Sequence, residues 1–216
     1  MEIEKDFLAH WDEFRLLFSG GKLSKRDGWR NVVRHQVTVF FGVRILGEMM
    51  DLSVEDQAKL GKAALVHDWE KRLHLHPEEF RSDEIDRAHK LFEQVQPDKK
   101  LMFATSPDFL ERVLYSEVSM LELLQFYLDA CTLETDIVSL ERRADDTSVR
   151  RADLDGDTVL TQRLGGKKYW DLEREVGRAV ENIIFDHLVK KGIPINDPRD
   201  IPGLIRSKMD EGVNNV

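Results

Sequence analysis

Between Trp29 and Met50 the chain carries Val32, Val33, Val37, Val39, Phe40, Phe41, Val43, Ile45, Leu46 and Met49. So many apolar positions cannot share one stripe of a helix, so two of its sides must be buried. A helix of that kind is the centre of a core, and its neighbours must present apolar faces of their own. The rest of the chain supplies such faces at helical spacing. Ile3, Phe7, Leu8, Trp11, Phe14, Leu17 and Phe18 form one stripe over 2–18, ended by Gly20-Gly21. Ser53 followed by Asp56 reads as the N-cap of a helix over 54–74, which Pro77 stops. Further helices are expected over 83–95 and 106–115, then a second buried one over 117–131, and a long one over 167–191 closed by Gly192 and Pro194. Residues 144–166 are polar, with Asp155-Gly156 between Val149 and Val159-Leu160, and read as a loop or a short hairpin. A short helix is expected over 202–211 in a fraying tail. Strand alternation is nearly absent. The expected fold is therefore all-α: one helical domain over residues 1–195, a C-terminal tail or short helix over 196–216, and at most a short β-hairpin.

Composition narrows the class. The 216 residues are enough to bury a core without disulfides, and the single Cys131 cannot form one within the chain. That cysteine usage fits a reducing, cytoplasmic setting. No apolar run reaches the length of a membrane span, and the acidic, amphipathic N-terminus is unlike a secretory signal. Lys plus Arg total 32 against 41 Asp plus Glu, a net charge of −9, which argues against broad nucleic-acid binding. A small anionic substrate needs only a local cationic pocket, so it stays compatible with that charge. The long last helix offers a face for a homodimer.

Three apolar stripes contain metal-ligand residues. His35 shares a face with Val32, Val39 and Leu46. His67 shares one with Leu60, Ala64 and Lys71, and Asp68 follows it directly. Asp129 closes the apolar run QFYLDAC. A lone histidine on such a stripe is ordinarily a core residue bonded to a carbonyl. A carboxylate in the same setting must be paired, hydrogen-bonded or metal-bound to offset its desolvation. Two histidines and two aspartates directed into one core share a single explanation, a metal site. Imidazole and carboxylate donors suit Mn, Fe, Co, Ni or Zn.

The order His35 … His67-Asp68 … Asp129 resembles the H…HD…D pattern of the HD-domain metal-dependent phosphohydrolases. RHQVTVFFGVRILGEM, KLGKAALVHDWEK and LDACTLETDIVSLERR are similar to that family's ligand helices, and the resemblance covers about residues 28–145. It implies an HD-domain-like helical bundle in which His35, His67, Asp68 and Asp129 hold one divalent transition metal ion. A second ion would draw on His74, His76 or His89. The resemblance also implies hydrolysis of a phosphate ester in a nucleotide or similar small metabolite, with monoesterase and diesterase both open. Asp68 and Lys71 would serve catalysis, Lys71 and Arg30 would bind the phosphate, and Glu70 is a weaker candidate for orienting water. Glu122, two turns before Asp129, is a candidate hydrogen-bonding partner for it. The alternative is a non-catalytic HD-like module that binds a nucleotide or a protein and keeps the metal for structure.

Other signals carry less. DLDGDT has its glycine at the fourth position, where an EF-hand loop has it at the sixth, and reads as an acidic turn. Arg142, Arg143, Arg150, Arg151, Arg163, Lys167 and Lys168 alternate with almost as many acids and read as a solvated surface.

Overall fold

The computed structural model describes residues 30–68, Glu78 and residues 82–213. The stripes expected over 2–18 and the end of the 54–74 helix lie outside the described residues.

The described chain is all-α with one small hairpin, as the apolar spacing requires. Helix α1 (Arg30–Met49) is the expected centre, with Val39, Phe40, Val43 and Leu46 fully buried. Phe41 departs from that expectation and is 43% exposed. Helix α2 (Val54–Val66) packs along α1. The Ser53 hydroxyl caps it by accepting the Asp56 N–H at 3.1 Å. The two helices approach closely where α2 has no side chain: a Cβ at Gly61 would stand 3.0 Å from the Phe40 ring. Helix α3 (Ser82–Val95) and the short α4 (Lys99–Met102) lead through a 3-10 turn (Phe103–Thr105) into α5 (Pro107–Tyr115).

Helix α6 (Met120–Ala130) is the second buried helix, with Leu124, Tyr127 and Leu128 fully enclosed. It meets α1 at Gly42, where a Cβ would come within 2.7 Å of Leu128 Cδ1. Ser119 and Glu122 close a reciprocal capping box at its start. A two-residue turn with Glu134 at φ 56° then joins β1 (Thr132–Leu133) to β2 (Asp136–Ile137), paired antiparallel with Thr132 opposite Ile137.

The expected loop or hairpin over 144–166 is helical instead. It comprises α7 (Leu140–Arg150), α8 (Ala152–Gly156) and α9 (Thr158–Arg163). Capping explains the difference. The Ser139 hydroxyl accepts the Arg142 N–H at 3.3 Å, and Asp157 Oδ1 accepts the Val159 and Leu160 N–H groups at 2.9 and 3.0 Å. Asp155 Oδ1 accepts the Trp170 N–H at 3.1 Å. The acidic turn is therefore helix-start chemistry. Val149 and Val159, which a hairpin would pair, are both exposed.

Helix α10 (Tyr169–Lys190) packs across α5, α6 and α7, and Gly192 at φ 74° ends it as expected. After a 3-10 turn (Pro198–Asp200), α11 (Ile201–Val213) lies against α1 and β2. The tail does not fray at its start, because Ile201 and Ile205 are fully buried in the common core. Among the described residues no helix is long and apolar enough to cross a membrane.

Candidate metal centre

Three elements converge on one point. His35 comes from the second turn of α1, His67 caps the C-terminus of α2, and Asp129 sits at the end of α6. The close crossings at Gly61 and Gly42 bring α2 and α6 onto α1, and so bring these side chains together. His35 Nε2 lies 2.8 Å from Asp129 Oδ1, His67 Nε2 lies 3.2 Å from the same oxygen, and the two Nε2 atoms are 3.3 Å apart. Asp68 stands beside this triangle, its Oδ2 4.0 Å from His67 Nε2.

Hydrogen-bond chemistry decides what the triangle can hold. His67 Nδ1 lies 2.8 Å from the Ala64 carbonyl, which can only accept, so Nδ1 carries the hydrogen. In the neutral ring Nε2 then presents a lone pair to Asp129 Oδ1, and the two repel unless a proton or a cation lies between them. The distances fit a cation. Donors held at about 2.1 Å stand about 3.0 Å apart in an octahedral arrangement and about 3.4 Å apart in a tetrahedral one. The edges of 3.2 and 3.3 Å fall in that range, and the 2.8 Å edge between His35 and Asp129 is slightly shorter. His35, His67 and Asp129 together form a group that could hold a metal ion.

The electrostatics agree. Burial pushes the His35 imidazole below its ordinary pKa, and the neighbouring Asp129 offsets this only in part. Burial acts the same way on His67, but the Asp68 and Asp129 carboxylates outweigh it and raise that imidazole. Burial alone would raise Asp129, yet the two imidazoles beside it hold its carboxyl well below the usual range. Asp129 is thus an anion at the heart of a cationic demand.

The site retains partial solvent access. The His67 side chain is fully enclosed, while those of His35, Asp68 and Asp129 retain 12, 19 and 22% exposure. Structural metal sites are closed, and sites that act on substrates keep an accessible position.

Of the remaining sequence candidates, Arg30 is placed by its backbone alone as the first residue of α1. Glu70, Lys71, His74 and His76 lie outside the described residues. His89 lies on α3 and is exposed. Glu122 is not a partner of Asp129. It accepts the Ser119 N–H and hydroxyl at 2.9 Å each and pairs with Arg112, all at the opposite end of α6. Seven residues along a helix is about 10 Å of rise, too far for contact.

The sequence reading missed the neighbours that α10 contributes. Glu173 is almost fully buried, and burial, then the negative charge of Asp129, raises its carboxyl to about 7. Tyr169, one turn earlier, hydrogen-bonds it and is itself raised by burial. Arg143 faces both residues and is anchored by its Nε–H on the Thr132 carbonyl at 2.6 Å. The available signal was a Tyr-x-x-x-Glu pair on an otherwise apolar helical face.

Compared with protein-family models, with curated proteins and with solved structures, the chain matches none.

Proposed function

We propose that the chain is a metal-dependent phosphohydrolase of the HD-domain type, acting on a phosphate ester of a nucleotide or similar small metabolite. The observation that carries this reading is the convergence of His35 Nε2, His67 Nε2 and Asp129 Oδ1, with edges of 2.8–3.3 Å, from three separate helices. The H…HD…D order in the sequence supplies the family, and the partial exposure of three of the side chains favours substrate access. His35, His67, Asp68 and Asp129 would hold the ion.

A divalent ion there supplies Lewis acidity toward a phosphoryl oxygen and lowers the pKa of a water molecule. The chain's own residues prepare the site for it. The Ala64 carbonyl locks His67 with Nδ1–H outward and the Nε2 lone pair inward. Asp129 stays anionic between the imidazoles. Asp68 is partly exposed beside the triangle, where its carboxylate can orient a water toward phosphorus or take its proton. Lys71 and Arg30 are assigned to the phosphoryl oxygens, where charge develops. In the in-line attack the water oxygen would bond to phosphorus as the bond from phosphorus to the leaving oxygen breaks, and the leaving oxygen would take up the proton that Asp68 accepted or one from solvent.

The rival reading is a non-catalytic module with a structural metal. A screen against nucleoside monophosphates, cyclic nucleotides and an aryl phosphate, with manganese or cobalt added, separates the two. Phosphate or monoester release that is lost in Asp68→Ala supports the enzyme. Bound metal with no release from any ester supports the rival.

A further inference from the structure

A cavity that shares no lining residue with the metal centre lies between the start of α7 and residues 194–206. Its volume is about 540 Å³, within the range of small-molecule sites, roughly 300–1,000 Å³. Its floor is apolar, made by the buried Ile137, Val138 and Pro202. Its rim carries three guanidinium groups, Arg142, Arg199 and Arg206, against one lining carboxylate, Asp200. Asp197 and Asp136 lie just behind the lining beside Arg199 and Arg206, which leaves Arg142 as the rim's unengaged guanidinium.

The three arginines differ in how far they are already engaged. Arg199 is held by Asp197 at 2.9 and 2.6 Å. Arg206 reaches the Ile137 carbonyl at 3.5 Å and Asp136 at 3.6 Å, both long. Arg142 makes no side-chain hydrogen bond or ion pair among the described residues. The other arginines of the basic stretch are engaged: Arg150 pairs with Asp146, Arg151 with Asp153, Arg163 with Asp108 and Glu111, and Arg143 donates to Thr132. The Ser139 hydroxyl already serves the Arg142 N–H at the start of α7. Anion recognition here therefore falls to the guanidinium side chains, and it is not the work of a bare helix end. Guanidinium groups bind phosphate oxygens in a bidentate way. An unengaged guanidinium on the rim, with two more that can be re-paired, over an apolar floor matches a ligand with phosphate groups and an apolar body.

We infer that this cavity binds a phosphorylated small molecule of the nucleoside polyphosphate class, at a site separate from the metal centre. Residues 194–206 reach the hairpin through Arg206 and the Ile137 carbonyl, and the hairpin follows directly on Asp129 and α6.

The test is calorimetric titration of the full chain with ATP in EDTA, so that no metal-dependent binding contributes. Wild type is expected to bind one ATP. Arg142→Ala combined with Arg206→Ala is expected to weaken binding at least tenfold. Gly203→Leu probes the same cavity without touching charge. A Cβ at Gly203 meets nothing within 4 Å, so the helix start tolerates it while the added side chain fills the space. It too is expected to weaken binding at least tenfold, and adenosine without phosphates is expected to bind at least tenfold more weakly than ATP. The inference is overturned if wild type fails to bind ATP, if either variant binds it as wild type does, or if adenosine binds equally well. None of these results bears on the phosphohydrolase reading, which needs metal.

Discussion

The imidazole of His67 is fixed from behind by the Ala64 carbonyl at 2.8 Å, which turns its Nε2 toward the Asp129 carboxylate and the His35 ring. The site residues that the sequence disclosed are those whose burial is costly without a partner: two histidines inside apolar stripes and an aspartate ending one. Glu173 and Tyr169 were not legible, because their meeting with Asp129 depends on how α10 crosses α6, and no spacing within either helix encodes that. A second buried polar group on α6 yields a stability prediction. Gln125 is fully buried one turn before Asp129, and its amide has no hydrogen-bond partner among the described residues. A buried polar group without a partner costs about 1–3 kcal/mol, so Gln125→Leu is expected to stabilise the fold by about 1–2 kcal/mol. In a thermal melt of a chain this size that corresponds to a rise of about 2–8 °C. A lowered midpoint would show that the amide is engaged.

At the scale of elements, the helix crossings hold the donors in register. Gly42→Ala would push a methyl to 2.7 Å from Leu128 Cδ1 where α1, the carrier of His35, meets α6, the carrier of Asp129. Overpacking of this kind costs about 1–3 kcal/mol. Adding Leu128→Ala should recover part of the Gly42→Ala loss, measured as a positive coupling in a double-mutant cycle of chemical denaturation. Strict additivity of the two changes would refute the contact. The long helices were legible because their apolar positions repeat at helical spacing over many turns. The stretch 144–166 was not, because α8 and α9 are too short to show a period and are set by caps. Asp157→Ala removes the acceptor for the Val159 and Leu160 N–H groups and is expected to cost about 0.5–2 kcal/mol. An unchanged denaturation midpoint would mean that α9 stands on packing alone. The hairpin was misplaced for a related reason: its turn uses Glu134 at positive φ, where Asp-Gly invites a turn but Gly156 in fact ends a helix.

For the whole molecule, the buried acids of α10 set the response to pH. Burial raises the Glu181 carboxyl to about 7 from an ordinary 4.5, against the Tyr127 hydroxyl that donates to it at 2.9 Å. A carboxyl raised in the folded state favours folding fully below about 4.5, and this contribution is lost as pH rises to about 7. Stability measured across that window should therefore carry a declining component that Glu181→Gln removes; a slope identical in both proteins would rule it out. The proposed metal centre requires three helices to fold together around one ion. Elemental analysis of the purified, metal-reconstituted chain tests it directly. One divalent transition metal per chain is predicted for the wild type, and almost none for His35→Ala, His67→Ala or Asp129→Ala in samples that remain folded. Wild-type protein without stoichiometric metal, or folded variants that keep it in full, would contradict the account.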